Sequence, residues 1–174
     1  VAHPHAALSH PNQRNNILRR LVTRSPESPP DETRKLPMTT PENRNTPVIE
    51  EFRANGGKVG GRWEGGRLLL LGTTGAKSGT KRINPMTYFP EDDVLYVFAS
   101  KAGADVHPDW YHNLVANSGV TVELGTESYE AIAAPLKRGE RDRIYAAQSE
   151  LAPGFKTYQD GTKRIIPVVA LRRK

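Results

Sequence analysis

The sequence predicts an α+β fold built on a mainly antiparallel sheet or small barrel of about six strands with flanking helices. Two observations carry this. Six short apolar stretches rich in Val, Ile, Tyr and Phe fall in the order three strands, helix, two strands, helix, strand, which is not the strict alternation of a doubly wound sheet. The segment "FPEDDVLY" reads as a hairpin, its polar Glu91-Asp92-Asp93 joining two such stretches.

The elements follow in chain order. Residues 1–45 carry Pro4, Pro11, Pro26, Pro29, Pro30, Pro37 and Pro41 among polar residues, with too little apolar material to offset the entropy of ordering, so a disordered extension is expected. Its Arg-containing opening has no acidic residue before Glu27, as in an organelle transit peptide, but Met38 reads as the natural start and residues 1–37 as an upstream extension. An ordered domain is expected over 46–174. It opens on "NTPVIEEFRANGG", a helix with Asn45 or Thr46 as N-cap, Pro47 in the first turn, Glu50 and Glu51 near its positive end and Gly56 as its stop. The Gly-rich "GKVGGRWEGGR" is a linker. The strands are "RLLLLGTT", "KRINPMTYF", "DVLYVFAS", "GVTVELG", "SYEAIAAPL" and "RIIPVVALR". The helices between them are "HPDWYHNLVANSG", opened by Pro108 and closed by Gly119, and "KRGERDRIYAAQSELAPG", closed by Pro153 and Gly154.

The net charge of +6, from 25 Lys+Arg against 19 Asp+Glu, favours anionic partners. Much of the excess is diffuse: Arg14, Arg19, Arg20, Arg24 and Arg34 lie in the extension, and Lys163, Arg164, Arg172, Arg173 and Lys174 at or near the chain end. The absence of cysteine removes disulfides, thiolate catalysis and cysteine-ligated metal, and is compatible with a cytoplasmic location. No apolar run reaches the roughly 20 residues of a membrane span, leaving peripheral contact with the inner face of the cell membrane as the membrane option. His107 and His112 are not at the i, i+4 spacing of a helical metal site, and no metal is expected.

The stretch "GTTGAKSGTKRINPM" raises the question of a phosphate loop. In a P-loop the Lys and Ser/Thr follow the second glycine; here Lys77-Ser78 precede Gly79, so that reading fails. The dinucleotide fingerprint is absent, and "GAKSG" sets Ser78 one residue late for a hydrolase elbow. What remains is a Gly-bounded loop with Thr73, Thr74, Ser78 and the cations Lys77, Lys81 and Arg82, suited to phosphate or carboxylate, or else a simple strand connection made soluble by its lysines. A second polar loop, Ser100 to Ala104, permits close approach of a flat ligand, with Trp110 and Tyr111 offering aromatic faces after it; Trp110 and Leu114, four apart, equally suit a buried helix stripe. No acid, base or nucleophile stands out, so an enzyme of this sequence would leave the chemistry to a cofactor.

Taken together, "LLLLGTTGAKSGTKRINPMTYF", "VFASKAGADVHPDWYHNLVANSGVTVEL" and "YQDGTKRIIPVVAL" resemble the deazaflavin-dependent nitroreductase family, over about residues 47–172. The resemblance implies a split β-barrel, coenzyme F420 as cofactor, and hydride transfer from the reduced deazaflavin to a small electron-poor acceptor such as a quinone, nitro compound or activated enone. It assigns Lys77, Ser78 and Arg82 to the anionic phosphate and oligoglutamate parts, and Pro85 and Met86 to the cleft. Ser100, Lys101, Ala102 and Gly103 fall near the deazaflavin, and Trp110 and Tyr111 pack by the ring. Tyr158 and Ser100 are the implied catalytic residues, Tyr158 touching substrate or its bound water. Two departures bear on these roles. Ala76 stands where the family usually has Arg, so tail affinity is lower or supplied by Lys81; and Ala152, Phe155 and Tyr158 match three tyrosines that shape the substrate pocket in the best-known branch. The competing readings are an FMN-binding split barrel and a non-catalytic F420-binding protein. Nucleic acid is not an expected partner, and the chain is expected to be a monomer or homodimer.

Overall fold

The computed structural model describes residues 41–174, and the expected extension up to residue 40 lies outside the described residues. Four helices and six strands follow in order: α1 (Pro41–Ala54), β1 (Leu68–Thr74), β2 (Lys81–Glu91), β3 (Val94–Phe98), α2 (Asp109–Ala116), β4 (Gly119–Leu124), β5 (Glu127–Pro135), α3 (Arg138–Leu151), α4 (Gly154–Asp160) and β6 (Val168–Arg173). All strand pairs are antiparallel, and the order β1-β2-β3-β6-β5-β4 closes on itself as a barrel.

The leucine run explains how the barrel is covered. Side chains alternate across a strand, so a run apolar at every position is buried on both faces. Leu69 and Leu71 point into the barrel with Val97, Val122, Val169 and Leu171. Leu68 and Leu70 point outward against Phe52, Val48 and Ile49 of α1. The opposite wall repeats the pattern: Val168 and Ala170 of β6 face outward with Tyr96 and Phe98 of β3 against Ile144 and Tyr145 of α3. Helix α2 contributes Leu114, 1% exposed, to the interior cluster. Burial of that side chain is worth about 1.5–3 kcal/mol.

Three expected boundaries shift. The first helix starts at Pro41, so Asn45 and Thr46 lie within it and Pro47 is internal instead of in the first turn. The last strand begins at Val168, because the backbone N–H of Arg164 donates to Thr162 Oγ1, its carbonyl accepts from Gln159 Nε2 and Ile166 N–H donates to Gln159 Oε1, so these groups bond side chains and not a ladder. Pro153 and Gly154, expected to end the α3 region, open α4: Pro153 has φ −56° and ψ −21°, the helical values its ring favours. The hairpin is as expected, with Asp92 left-handed at φ 51°.

The barrel is not paired along its whole length. β3 meets β2 only from Tyr88 to Glu91, so the stretch Lys81–Thr87 of β2 bonds to β1 on one side alone. Pro85, which has no N–H to give, sits in that singly paired stretch. The cleft described next opens along it.

Candidate active site

Two adjoining cavities form one cleft. The first, about 320 Å³, is an aromatic-walled slot of mixed polarity, lined by Pro85 and Met86 of β2, Phe98 of β3, Trp63, Trp110, and Phe155 and Tyr158 of α4, with Thr87, Ser100 and Ala102 also on its surface. The second, about 1030 Å³, is bounded by Gly75, Ala76, Lys77, Ser78 and Arg82, with His112 and Asn113 of α2. Asn45, Asn84, Lys101, Pro108 and Trp110 line both. The cleft thus has an aromatic end and a cationic end that share a boundary.

The cationic end is a built loop. Gly75 N–H donates to Thr80 O at 2.8 Å and Gly79 N–H to Gly75 O at 2.9 Å, closing the turn. A side chain at Gly75 would place its Cβ 2.6 Å from Ser78 Oγ, which itself accepts from Thr80 N–H at 3.2 Å. Helix α2 braces the loop from one side: Asn113 Oδ1 accepts from Ala76 N–H at 3.0 Å and its Nδ2 reaches Thr73 Oγ1 at 3.4 Å, while Asn117 Nδ2 reaches Thr74 O at 3.4 Å. Lys81 donates to Thr74 Oγ1 at 2.9 Å and does not line the cleft, so the expectation that it makes up for Ala76 has no geometric support.

At the aromatic end the loop after β3 is held in an uncommon shape. Lys101, Ala102 and Gly103 are left-handed in succession, at φ 47°, 51° and 82°. Arg164 clamps this loop through the carbonyls of Ala99, Ser100 and Ala104, and also meets His107 Nδ1. Burial, then Arg164 and His112, hold the His107 imidazole below its ordinary range, which favours the neutral form whose Nδ1 can accept from Arg164. The adjacent α4 is fixed by Tyr145, whose hydroxyl donates to Phe155 O at 2.7 Å; burial pushes that phenol up to about 12. Gln159 links α4 to the chain before β6: it accepts from Arg141 at 2.5 Å and from Ile166 N–H at 3.1 Å, and donates to Arg164 O at 2.8 Å.

Of the residues expected from sequence, Lys77, Ser78 and Arg82 fall at the cationic end, Pro85, Met86, Ser100, Ala102 and Tyr158 at the aromatic end, and Lys101 and Trp110 at the boundary. Gly103 and Tyr111 stand behind the wall: Gly103 is packed on the Tyr158 backbone, and Tyr111 lies against the barrel core with its ring 4.9 Å from His107. Trp110 serves both readings, lining the cleft while packing on the core that buries Leu114. Ala152 does not line the slot, whereas Phe155 does. Sequence reasoning missed Asn84, Thr87, Trp63 and Phe98 as wall residues, Asn113 and Asn117 as braces, and Arg164, grouped with the diffuse surface cations although it is partly buried.

A slot with aromatic walls that shares lining residues with a cationic loop suits a flat ring that carries an anionic tail. The comparisons name such a group. A family model described as F420H(2)-dependent quinone reductase matches residues 45–173. An F420H(2)-dependent quinone reductase of Mycobacterium tuberculosis is 37% identical over 127 residues, covering 71% of this chain and 85% of that protein. Among solved structures, an F420-H2 dependent reductase matches with a TM-score of 0.57 at 36% identity, covering 61% of this chain and 94% of the other. Another, described as a domain-swapped dimer, has a TM-score of 0.59 at 34% identity and covers 74% of this chain and 95% of its own. The match over nearly the whole barrel, with the cleft at its singly paired edge, makes this chain a member of the F420H(2)-dependent quinone reductase family.

Proposed function

We propose that the cleft holds coenzyme F420 along its length and delivers a hydride to a quinone that enters the same slot. The observation that carries the reading is the shared boundary of the aromatic and cationic ends at Lys101, Asn84 and Trp110. A ring with a polyanionic tail needs both environments within one ligand's reach, whereas FMN, with one phosphate, leaves most of the larger, cationic cavity unused. Lys77, Ser78 and Arg82 are assigned to the phosphate and tail, with the Ala76 position supplying backbone instead of a cation. Pro85, Met86 and Trp110 are assigned to the ring faces, and Ser100, Lys101 and Ala102 to its polar edge, with Gly103 holding the loop against α4.

When bound, the reduced deazaflavin supplies the hydride from its C5. The protein's part is orientation, exclusion of water and handling of charge. Phe98, Phe155 and Met86 put apolar surface against part of the slot, which strengthens polar contacts made beside them. Ser100 and Tyr158 both line the slot, and their hydroxyls are assigned to hydrogen-bond the acceptor oxygen as negative charge develops on it. Tyr158 is the proposed proton donor to that oxygen. The unit assigned this chemistry is the barrel domain, 46–174, with Asn45 at its margin. The neighbour described as a domain-swapped dimer favours a homodimer over a monomer.

The experiment is anaerobic: the protein is mixed with reduced F420 and a soluble quinone, and return of the oxidised deazaflavin absorbance is followed. Quinone-dependent recovery that slows in Tyr158→Phe is expected. Binding of F420 with no recovery for any quinone would instead identify a sequestering protein.

A further inference from the structure

Arg164 directs its guanidinium at one loop. Nε donates to Ala104 O at 2.7 Å, Nη2 to Ala99 O at 3.0 Å and to Ser100 O at 2.8 Å, and Nη1 lies 3.0 Å from His107 Nδ1. In a trans peptide the carbonyl and the following N–H point in opposite directions. A cation that takes the carbonyls of Ala99 and Ser100 therefore turns the N–H groups of Ser100 and Lys101 to the far side. Ser100, Lys101 and Ala102 line the slot, whereas Arg164 does not.

Those N–H groups are available. Gly103 N–H is used by Ser100 O and Ala104 N–H by Lys101 O, but the N–H groups of Ser100, Lys101 and Ala102 have no acceptor among the described residues. The backbone passes from right-handed helical angles at Ser100 (φ −71°, ψ −40°) to left-handed ones at Lys101 and Ala102 (φ 51°, ψ 34° at the latter). This alternation gathers successive N–H groups into a concave anion site. Two consecutive non-glycine residues held left-handed are strained, and such a shape persists only where its surroundings impose it.

We propose that Arg164 is a positioning residue for the reaction: it locks the Ser100–Gly103 loop so that the free backbone N–H groups of Ser100 and Lys101 face the slot and receive an oxygen bearing negative charge. That oxygen belongs either to the ring system of the cofactor or to the quinone as it is reduced. The proposal rests on the reading of the cleft as an F420 site. Lysine cannot substitute, because a point charge on a flexible stem does not span three carbonyls as a planar fork does.

The test uses the full chain with Arg164→Lys and Arg164→Gln. Fluorescence titration gives the affinity for F420, and turnover with a soluble quinone gives kcat and KM. Both variants are expected to retain the barrel's amide spectrum and lose kcat by about tenfold or more, with KM for the quinone within about threefold. A matching loss of F420 affinity assigns the site to the cofactor ring, and unchanged affinity assigns it to the acceptor. A folded variant with kcat and F420 affinity both within about twofold of the wild type overturns the proposal. If neither variant folds, the wild-type chain decides: the amide resonances of Ser100 and Lys101 should move when F420 or quinone is added, and their immobility overturns it. Failure of the parent reading is distinct, since the wild type itself would then neither bind F420 nor turn over.

Discussion

Replacement of Gly103 by alanine tests the packing of the slot wall directly. Gly103 has φ +82°, and a Cβ built there lies 3.1 Å from Tyr158 O and 3.3 Å from Tyr158 Cα. The left-handed backbone costs an alanine about 1–2 kcal/mol. The contacts are with main chain of α4, which must give by a few tenths of an ångström; overpacking of this kind costs about 1–3 kcal/mol. Because α4 can yield part of the way, about 2–4 kcal/mol is expected in all, and at roughly 3–5 °C per kcal/mol the melting temperature should fall by roughly 10 °C. The displaced helix carries Phe155 and Tyr158, so kcat with quinone should fall by about tenfold or more while F420 affinity, which the proposed reading assigns largely to the cationic end, stays within about threefold. Gly139→Ala is the control. Gly139 lies in α3 with nothing within 4 Å of a built Cβ, so the change should stabilise by about 0.5–1 kcal/mol. Thermal unfolding by circular dichroism and quinone turnover read out both. A Gly103→Ala protein that melts and turns over like the wild type, or that responds as Gly139→Ala does, would show that the loop and α4 are not in the contact described.

Asn113→Ala removes the brace on Ala76 N–H; with that bond exposed, about 1 kcal/mol of loop ordering is lost, and F420 affinity by fluorescence should weaken about fivefold with barrel stability little changed. His107 contributes stability that is present above its ordinary value near 6.5 and lost as pH falls through its depressed folded value, since protonation removes the acceptor for Arg164 and sets a cation beside Arg164 and His112, with the Tyr111 ring on its remaining side. Stability and F420 affinity should therefore decline below about pH 6.5, and His107→Gln, which keeps an acceptor without titrating, should flatten that limb. Tyr145, whose folded value is about 12 against an ordinary 10.0, contributes stability that is intact below pH 10 and lost as pH rises toward 12. Tyr145→Phe should abolish this alkaline limb in denaturant titrations while costing about 1 kcal/mol at neutral pH through loss of the bond to Phe155 O.

The strands were legible because each carries its own local signal: Leu68–Leu71 is apolar on both faces, and Asp92-Asp93 turns between two β-rich runs. Helix α4 was hidden because a Pro-Gly pair reads as a stop, although proline is equally suited to a helix start, and only the packing of Phe155 on Phe98 and Tyr145 selects that reading. The basic loop and the small-residue loop were visible as composition. Their braces were not. Asn113 and Asn117 act on residues some forty positions earlier, and Arg164 on residues about sixty earlier. Nothing local distinguishes such an arginine from one in solvent, because its role depends on which carbonyls the closed barrel brings beside it. The slot itself arises from pairing that β3 does not complete along β2, a tertiary fact with no residue-level mark beyond Pro85.

Helix α2 has a mechanical consequence of its own. Its asparagines fasten the loop at the tail end, its Trp110 is a panel of the ring end, and the residue two before it, His107, supports the clamp on the far loop. This eight-residue rod and the residues flanking it thus join the basic loop, the Trp110 wall and the clamped loop, and its Leu114 anchors it in the barrel. On the proposed reading, a displacement of the basic loop would reach the ring slot through this helix, so the two halves of the ligand would be read together. A tailless ring would meet a slot whose frame is slack, and discrimination against free aromatic compounds would come from the handle as much as from the ring.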